Sequence, residues 1–330
     1  MGEFAAFLGN DRGAQTVERV IGNAAIRTKG MAVNPLVEDP RRWTTAQRMD
    51  RSLVEARHLG HTAIKAVLDR AGLASGDIGL LVTSTTTTHS APGLETLAYE
   101  LGMPPGVDLL SLGPMGCYGA LPSLVATRDW VLAHGRPAVL LCVDLFSPHL
   151  QPPPYETEEA VILTLFGDGA AAVVVRPDDE SAGSHSLELV DGEMLTVHAH
   201  ADDLQVHMGD TGVRIRLAPT IPDVVADGVT GPVERLLSRH GLGHSNVRWW
   251  AIHPGGRRVV ERVAEELRVD EESVAASRQV MRDYGNTAAP AVLAVLDHLQ
   301  GARPLGIGEY GVALAFGPGA TIWTVLLRGA

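Results

Sequence analysis

The sequence predicts an α/β protein built in layers. Short apolar runs of strand length alternate along the chain with longer segments in which apolar residues recur at the helical period. This alternation is typical of sheets covered by helices. A polar stretch over residues 176–185, containing Pro177 and Gly183, separates two stretches of this kind. We therefore expect two α/β halves, residues 1–180 and 181–330.

In the first half, residues 47–73 show the most regular helical pattern, and Gly72 provides a stop at its end. Apolar runs bounded by turn-forming residues predict short strands. The expected strands are 78–82, 108–111, 137–143 and a run inside 162–175, and the further expected helices are 93–101 and 117–133.

The second half repeats this style. Pro222 suits the first turn of a helix, where no backbone N–H is needed. The segment Gly317-Pro318-Gly319-Ala320 predicts the loop of a hairpin between the last two strands. The expected strands are 186–194, 205–217, 247–252, 310–316 and 321–327, and the expected helices are 221–240, 259–267, 272–283 and 288–299.

Charge and hydropathy exclude several classes of protein. The chain has 27 basic and 39 acidic residues, a net charge of −12, which argues against non-specific nucleic-acid binding. Apolar runs such as 137–142 are too short to span a bilayer, and residues 1–10 lack the pattern of a signal peptide. We expect a cytoplasmic protein with neither nucleic acid nor membrane as its partner. The scarcity of lysine beside arginine suggests a GC-rich bacterial source.

The chain has two cysteines, too few for a disulfide framework. Cys142 lies inside an apolar strand pattern and is expected to be a core residue. Cys117 stands between Gly116 and Gly119 at the expected start of a helix, where the helix dipole lowers a thiol pKa. Cys117 is therefore either a nucleophile or a buried structural cysteine in a tight turn.

Two further polar residues stand at junctions between expected elements. His253 follows a strand and precedes Pro254-Gly255-Gly256, so it is either a crevice residue or a histidine of a surface loop. Asn286 precedes a helix and is either a helix cap or a donor to an oxyanion. The spacing of the remaining histidines resembles no metal site, so no metal is expected.

Five segments occur in the order found in type III polyketide synthases, the chalcone/stilbene synthase-like group of the thiolase superfamily. The chain resembles this family over roughly residues 15–328. The His-Pro-Gly-Gly and Phe-Gly-Pro-Gly segments are the most discriminating of the five. The matching segments are Gly116-Cys-Tyr-Gly-Ala, Leu165-Phe-Gly-Asp-Gly, Ile252-His-Pro-Gly-Gly, Tyr284-Gly-Asn-Thr and Phe316-Gly-Pro-Gly-Ala.

The resemblance implies a thiolase-like fold, with the two halves stacked as five layers (αβαβα). It also implies that Cys117 takes an acyl group from a starter thioester and that His253 keeps the sulfur as a thiolate. His253 and Asn286 would hold the thioester oxygen of malonyl-CoA while carbon dioxide leaves. No cofactor is implied besides the acyl-CoA and malonyl-CoA substrates, with an acyl carrier protein as another donor, and a homodimer is implied.

Further residues match substrate-binding positions of the family. Phe166 matches a gatekeeping phenylalanine at the mouth of the CoA tunnel, and Thr86 matches a cavity-lining position. Ala91 matches a subunit contact. The loop that shapes the cyclisation cavity would be Gly317, Pro318 and Gly319, and the residues in the region that contacts CoA phosphates would be Arg27 and Lys29.

One departure from the family bears on activity. Ile215 stands where the family usually has a second gatekeeping phenylalanine, which puts repeated malonyl extension in doubt. The alternative functions are therefore a ketoacyl synthase III-like enzyme that condenses once, or a simple acyltransferase. A non-catalytic partner subunit is a third alternative, although such partners usually lack the cysteine or the histidine.

Overall fold

The computed structural model describes residues 12–153, 155–177 and 186–330. Its strands are β1 Leu80–Ser84, β2 Asp108–Leu112, β3 Ala138–Asp144, β4 Gly169–Val175, β5 Leu187–Thr196, β6 Leu204–Gly209, β7 Gly212–Leu217, β8 Val247–Ile252, β9 Tyr310–Gly317 and β10 Thr321–Gly329. Its α-helices are α1 Arg12–Asn23, α2 Thr45–Ala71, α3 Leu97–Glu100, α4 Ala120–His134, α5 Thr157–Leu165, α6 Ile221–Arg239, α7 Arg257–Glu266, α8 Glu271–Tyr284 and α9 Ala289–Ala302.

The strands form two four-stranded sheets and a separate hairpin. The first sheet has the order β2-β1-β3-β4, in which only β3 and β4 run antiparallel. The second sheet has the order β5-β10-β9-β8, in which only β8 and β9 run parallel. Strands β6 and β7 pair with each other and extend neither sheet.

Helices and sheets alternate in five layers. Strand β3 is covered on both faces. Leu140 and Cys142 point into the cluster between the sheets. The alternate residues Val139, Leu141 and Val143 point outward under α2. Between the sheets lie α4 and α9, whose apolar residues join both sheets in one cluster. Helices α6 and α7 cover the outer face of the second sheet. This αβαβα stack is the expected thiolase-like arrangement.

The sequence predicted most of these elements, and Cys142 is fully buried as expected. The helix expected at 93–101 is wrong: residues Leu94–Thr96 form a 3-10 turn and only α3 follows. Only Leu97–Glu100 continue as α-helix before Gly102, which has a φ of +71°. Helix α1 and helix α5 were not predicted. The proposed boundary between residues 180 and 181 lies outside the described residues.

None of the helices in these described ranges is both long enough and apolar enough to cross a membrane.

Candidate active site

Cys117 lies in a tight turn between a strand and a helix. The 3-10 turn Gly116–Tyr118 follows β2 and leads into α4. Gly116 has a φ of +69°, and a Cβ added there would lie 2.4 Å from Cδ of Pro318. Its N–H donates to Oγ1 of Thr86 over 2.8 Å. Glycine is therefore required beside the cysteine by both torsion and space.

His253 is fixed at the end of β8. Its N–H donates to the carbonyl of Leu314 in β9 over 2.8 Å. The side chain is fully buried, and its ring meets the edge of Phe316 at 5.6 Å and 78°. Neither ring nitrogen has a hydrogen-bond partner within the described residues. This excludes the surface-loop alternative and leaves both nitrogens available to a reacting group.

Asn286 lies just before α9 and beside the thiol, although the N-cap of that helix is Ala288. Its Oδ1 accepts the N–H of Ala288 over 2.9 Å, as a residue before a helix commonly does. Its Nδ2 lies 3.8 Å from Sγ of Cys117. Backbone bonds to Leu165 and Gly167, of 2.9 and 3.0 Å, tie the segment to the neighbouring bend. The fold thus brings the thiol and the carboxamide together from sequence-distant segments.

The loop after β9 connects the histidine to the cysteine. Phe316 packs on His253, and the next residue, Gly317, lies against the nucleophile turn. A Cβ added at Gly317 would stand 3.2 Å from the backbone nitrogen of Cys117. Pro318 covers Gly116, as described above. The predicted loop of Gly317, Pro318 and Gly319 therefore forms one wall beside the thiol.

Burial dominates the electrostatics of the site. It raises the pKa of Cys117 to about 12, with the nearby Asp144 acting in the same direction. It lowers the pKa of His253 to about 3. The lowered thiol pKa expected from the start of a helix is therefore wrong, because desolvation outweighs the dipole of a short turn.

Sequence reasoning missed Asp144, which links the catalytic segments. This fully buried carboxyl ends β3. Its Oδ1 accepts the N–H of Thr86 over 2.7 Å, and its Oδ2 accepts the N–H of Ala289 over 3.2 Å. Burial raises its pKa to about 7. The available signal was one acidic residue at the end of an otherwise apolar strand.

Phe166 and Ile215 lie on the same apolar wall. Phe166 is buried and packs on Phe146, with 4.5 Å between ring centroids. Phe166, Ile215 and Cys117 belong to one apolar cluster. Phe166 and Ile215 also line one pocket, so the two positions matched to gatekeepers lie together. Phe146, which the sequence did not single out, adds a third apolar side chain next to them.

Lys29 does not project toward solvent as a phosphate ligand would. Its Nζ donates to the carbonyls of Leu163 and Phe166 over 2.5 and 2.9 Å. Burial lowers its pKa to about 8, while Asp168 acts in the opposite direction. The expected contact of Lys29 with CoA phosphates is therefore wrong, because its ammonium group supports the bend that carries Phe166. Arg27 is exposed and remains a candidate.

Thr86 and Ala91, which both follow β1, differ in burial. Thr86 is buried, and its hydroxyl accepts the N–H of Gly116, so it supports the nucleophile turn. Ala91 is exposed, in the loop that leads toward α3. No cluster of three or more metal-ligating side chains occurs in the part of the chain that the structure describes.

Two stacked α/β halves with a cysteine, a histidine and an asparagine at their junction define a condensing enzyme of the thiolase fold. The chain belongs to the chalcone and stilbene synthase family. The model of the N-terminal domain of chalcone and stilbene synthases matches residues 19–179, and the model of the C-terminal domain matches residues 191–330. The chain is accordingly a type III polyketide synthase, an acyltransferase.

Curated relatives and solved structures agree. The chain is 33% identical to 1,3,6,8-tetrahydroxynaphthalene synthase of Streptomyces peucetius subsp. caesius, over 94% of this chain and 83% of the relative. It is 30% identical to the alpha-pyrone synthesis polyketide synthase-like Pks18 of Mycobacterium tuberculosis, over 93% and 81%. PKS-I of the brown alga Ectocarpus siliculosus superposes with a TM-score of 0.90 at 27% identity, over 100% of this chain and 94% of that one.

Proposed function

We propose that the protein transfers an acyl group from an acyl-CoA starter to Cys117 and condenses it with malonyl-CoA. The observation that carries the proposal is the contact between Nδ2 of Asn286 and Sγ of Cys117, 3.8 Å apart, in a site where both nitrogens of His253 are free of partners among the described residues. A carboxamide N–H beside the thiol and a buried imidazole are suited to a developing oxyanion.

The proposed reaction has two stages. First, Cys117 sulfur attacks the starter thioester, its proton passes to His253, and coenzyme A leaves as the thiol. Second, malonyl-CoA loses carbon dioxide, and the resulting enolate oxygen is held by His253 and Asn286. The enolate carbon attacks the acyl group, a carbon–carbon bond forms, and the bond to Cys117 sulfur breaks. A β-ketoacyl-CoA is released.

No resident cofactor is needed for this sequence. The electron pair of the new carbon–carbon bond comes from the bond that breaks when malonyl-CoA loses carbon dioxide, so no external oxidant or reductant takes part. Arg27 remains the candidate for contact with CoA phosphates. An acyl carrier protein as donor, a cytoplasmic location and a role in bacterial secondary metabolism are predictions that accompany this proposal.

Intact-protein mass spectrometry tests the proposal. We expect a single acyl adduct after incubation with an acyl-CoA, its disappearance on addition of malonyl-CoA, and no adduct in Cys117→Ala. Cys142→Ala is the matched control, because Cys142 is fully buried in the core and should leave the adduct unchanged. Absence of an adduct from every acyl-CoA and carrier-protein donor offered would refute the proposal.

The second candidate is an acyltransferase that condenses once or not at all. Ile215 favours it, because a branched aliphatic side chain replaces an aromatic one in the apolar cluster beside Cys117. An adduct that malonyl-CoA leaves unchanged would select simple transfer. Products that contain two or more malonyl-derived units would exclude it.

A homodimer completes the proposal. Strand β2 forms an open edge of the first sheet, and Leu109 and Leu110 on it are 51% and 37% exposed. An edge with exposed apolar side chains and unpaired backbone groups is suited to pairing with a second copy. Because β2 leads directly into the nucleophile turn, such pairing would place the partner near Cys117.

A further inference from the structure

The hairpin that carries Ile215 has no sheet behind it. Strands β6 and β7 pair with each other and with no other strand within the described residues. An isolated two-stranded hairpin is marginally stable in water, so its position depends on other contacts. Ile215 nevertheless reaches the apolar cluster of Phe166 and Cys117. Side chains outside the hairpin must therefore hold it close enough for Ile215 to reach this cluster.

Gln151 supplies the densest set of these contacts. Its Nε2 donates to the carbonyls of Thr211 and Val213 over 3.1 and 3.2 Å, and to that of His149 over 2.8 Å. Its Oε1 accepts the hydroxyl of Thr211 over 2.6 Å. One amide thus holds the turn and the first part of β7 against the segment that follows β3.

Two further side chains assist from the first half. Nδ1 of the buried His149 accepts the N–H of Val213 over 3.3 Å. The hydroxyl of Thr45 donates to the carbonyl of Gly209 over 2.8 Å and accepts the N–H of Gly212 over 3.0 Å. Both sides of the hairpin tip are therefore fixed to the body of the first half.

The hydrogen bonds at Val213 also affect the position of Ile215. Val213 and Ile215 are two residues apart in β7, so their side chains share one face of the strand. Val213 is buried, and its N–H and carbonyl are both held by side chains of the first half. Fixing the backbone at Val213 sets how far Ile215 extends toward Phe166.

We propose that Gln151 is a positioning residue that sets how far Ile215 extends into the pocket that it shares with Phe166, and thereby the length of acyl chain that the site accepts. The inference rests on the proposed function, because it concerns the starter bound at that site. Gln151 acts through the hairpin backbone, since both ends of its amide are bonded within the protein.

The first arm of the test measures the hairpin itself. Gln151→Leu removes the amide at similar volume, and Gln205→Leu is the matched control, because Gln205 lies in the same hairpin and bonds only to nearby Asp202. We expect amide hydrogen exchange in peptides over residues 204–217 to rise about tenfold in Gln151→Leu, since several hydrogen bonds are lost. Peptides over residues 110–125 should be unchanged in both variants.

The second arm measures selectivity. We expect the ratio of kcat/KM between hexanoyl-CoA and dodecanoyl-CoA to change at least about fivefold in Gln151→Leu and to stay at the wild-type value in Gln205→Leu. Faster exchange with an unchanged ratio would overturn the inference, as would unchanged exchange. If the wild-type enzyme condenses neither starter, the ratio is measured with two acyl-CoAs of different length that form the Cys117 adduct; absence of an adduct from every donor would instead refute the proposed function, while the exchange arm would still report on Gln151.

Unfolding of Gln151→Leu would show as faster exchange throughout the chain. Thr211→Val then takes its place, because it removes only the hydroxyl that bonds to Oε1 of Gln151. The same pattern is expected at smaller amplitude, with the change confined to residues 204–217. An unaltered hairpin and an unaltered starter ratio in Thr211→Val would overturn the inference in that case.

Discussion

The side chain of Asn286 contacts both a backbone N–H and the sulfur of Cys117. The carbonyl oxygen accepts a backbone N–H at the start of α9, which fixes the orientation of the amide. Both the amide nitrogen, at 3.8 Å, and the oxygen, at 3.9 Å, lie near Cys117 sulfur. A substitution that keeps the oxygen and removes the N–H should separate the two roles.

We expect Asn286→Asp to reduce carbon dioxide release from malonyl-CoA by about 10²–10³-fold, the usual effect of losing one oxyanion donor. The measurement is acetyl-CoA formation. Asn246→Asp is the matched control, because its Oδ1 also accepts a backbone N–H in a turn, far along the chain from the site. Decarboxylation within threefold of wild type in Asn286→Asp would show that this amide stabilises no charge.

Lys29 makes a pH-dependent contribution to stability. Its folded pKa of about 8 lies below the ordinary value of 10.5, so above pH 8 the unfolded chain binds more protons than the folded one. We expect the free energy of unfolding of wild type, relative to Lys29→Met, to rise between pH 8 and 10.5, by up to about 3 kcal/mol. Urea unfolding at several pH values measures this. A difference that falls with pH would contradict the burial of the ammonium.

At the scale of elements, the site depends on how strand ends are joined. The loop after β1 carries Thr86, whose hydroxyl holds the nucleophile turn and whose N–H is held by Asp144. The start of α9 is bonded to the same carboxyl. Three segments that meet nowhere in the sequence are thus connected by two side chains.

Thr86→Val should therefore loosen the nucleophile turn without emptying the core. We expect a loss of about 1–2 kcal/mol in stability, since the Gly116 N–H loses its acceptor, together with slower acyl loading of Cys117. Thr83→Val is the matched control: Thr83 is equally buried on β1, and its hydroxyl bonds to Ser111 instead. Equal loading rates in the two variants would remove Thr86 from this role.

The sequence predicted the elements better than it predicted the environment of the site. Periodicity located the long helices and the buried strands, because the spacing of apolar residues along a segment shows whether one face or both faces are buried. It could not show that Lys29 lies under Phe166 or that Asp144 bridges two segments, since both contacts join residues more than 130 positions apart. The predicted lowering of the Cys117 pKa was wrong for the same reason. The start of a helix can be recognised in the sequence, whereas desolvation of the thiol depends on residues from other segments.

For the whole molecule, the open edge of the first sheet matters most. Strand β2 is exposed along most of its length, whereas its neighbour β1 and the next strand, β3, are buried throughout. The chain also carries a net charge of −12, which opposes association unless apolar contact outweighs it.

We expect Leu109→Glu to weaken self-association at least about tenfold, because each partner would then place a carboxylate at the shared edge. Val54→Glu is the control, since Val54 is 60% exposed on α2, in the outer layer. Sedimentation at several concentrations measures both variants. A wild-type protein that sediments as a single chain at every concentration would refute the dimer.

The residues of the site are spread along the chain, and this has a consequence for synthesis. Cys117 leaves the ribosome about 200 residues before the Gly317–Gly319 loop, which at about 5–20 residues per second is roughly 10–40 s. The His253 imidazole follows after 136 residues and the Asn286 carboxamide after 169, so for the first part of that interval the nascent polypeptide contains the sulfur without either group. The site is therefore complete only after the Gly317–Gly319 loop has been synthesised, although its sulfur is made first.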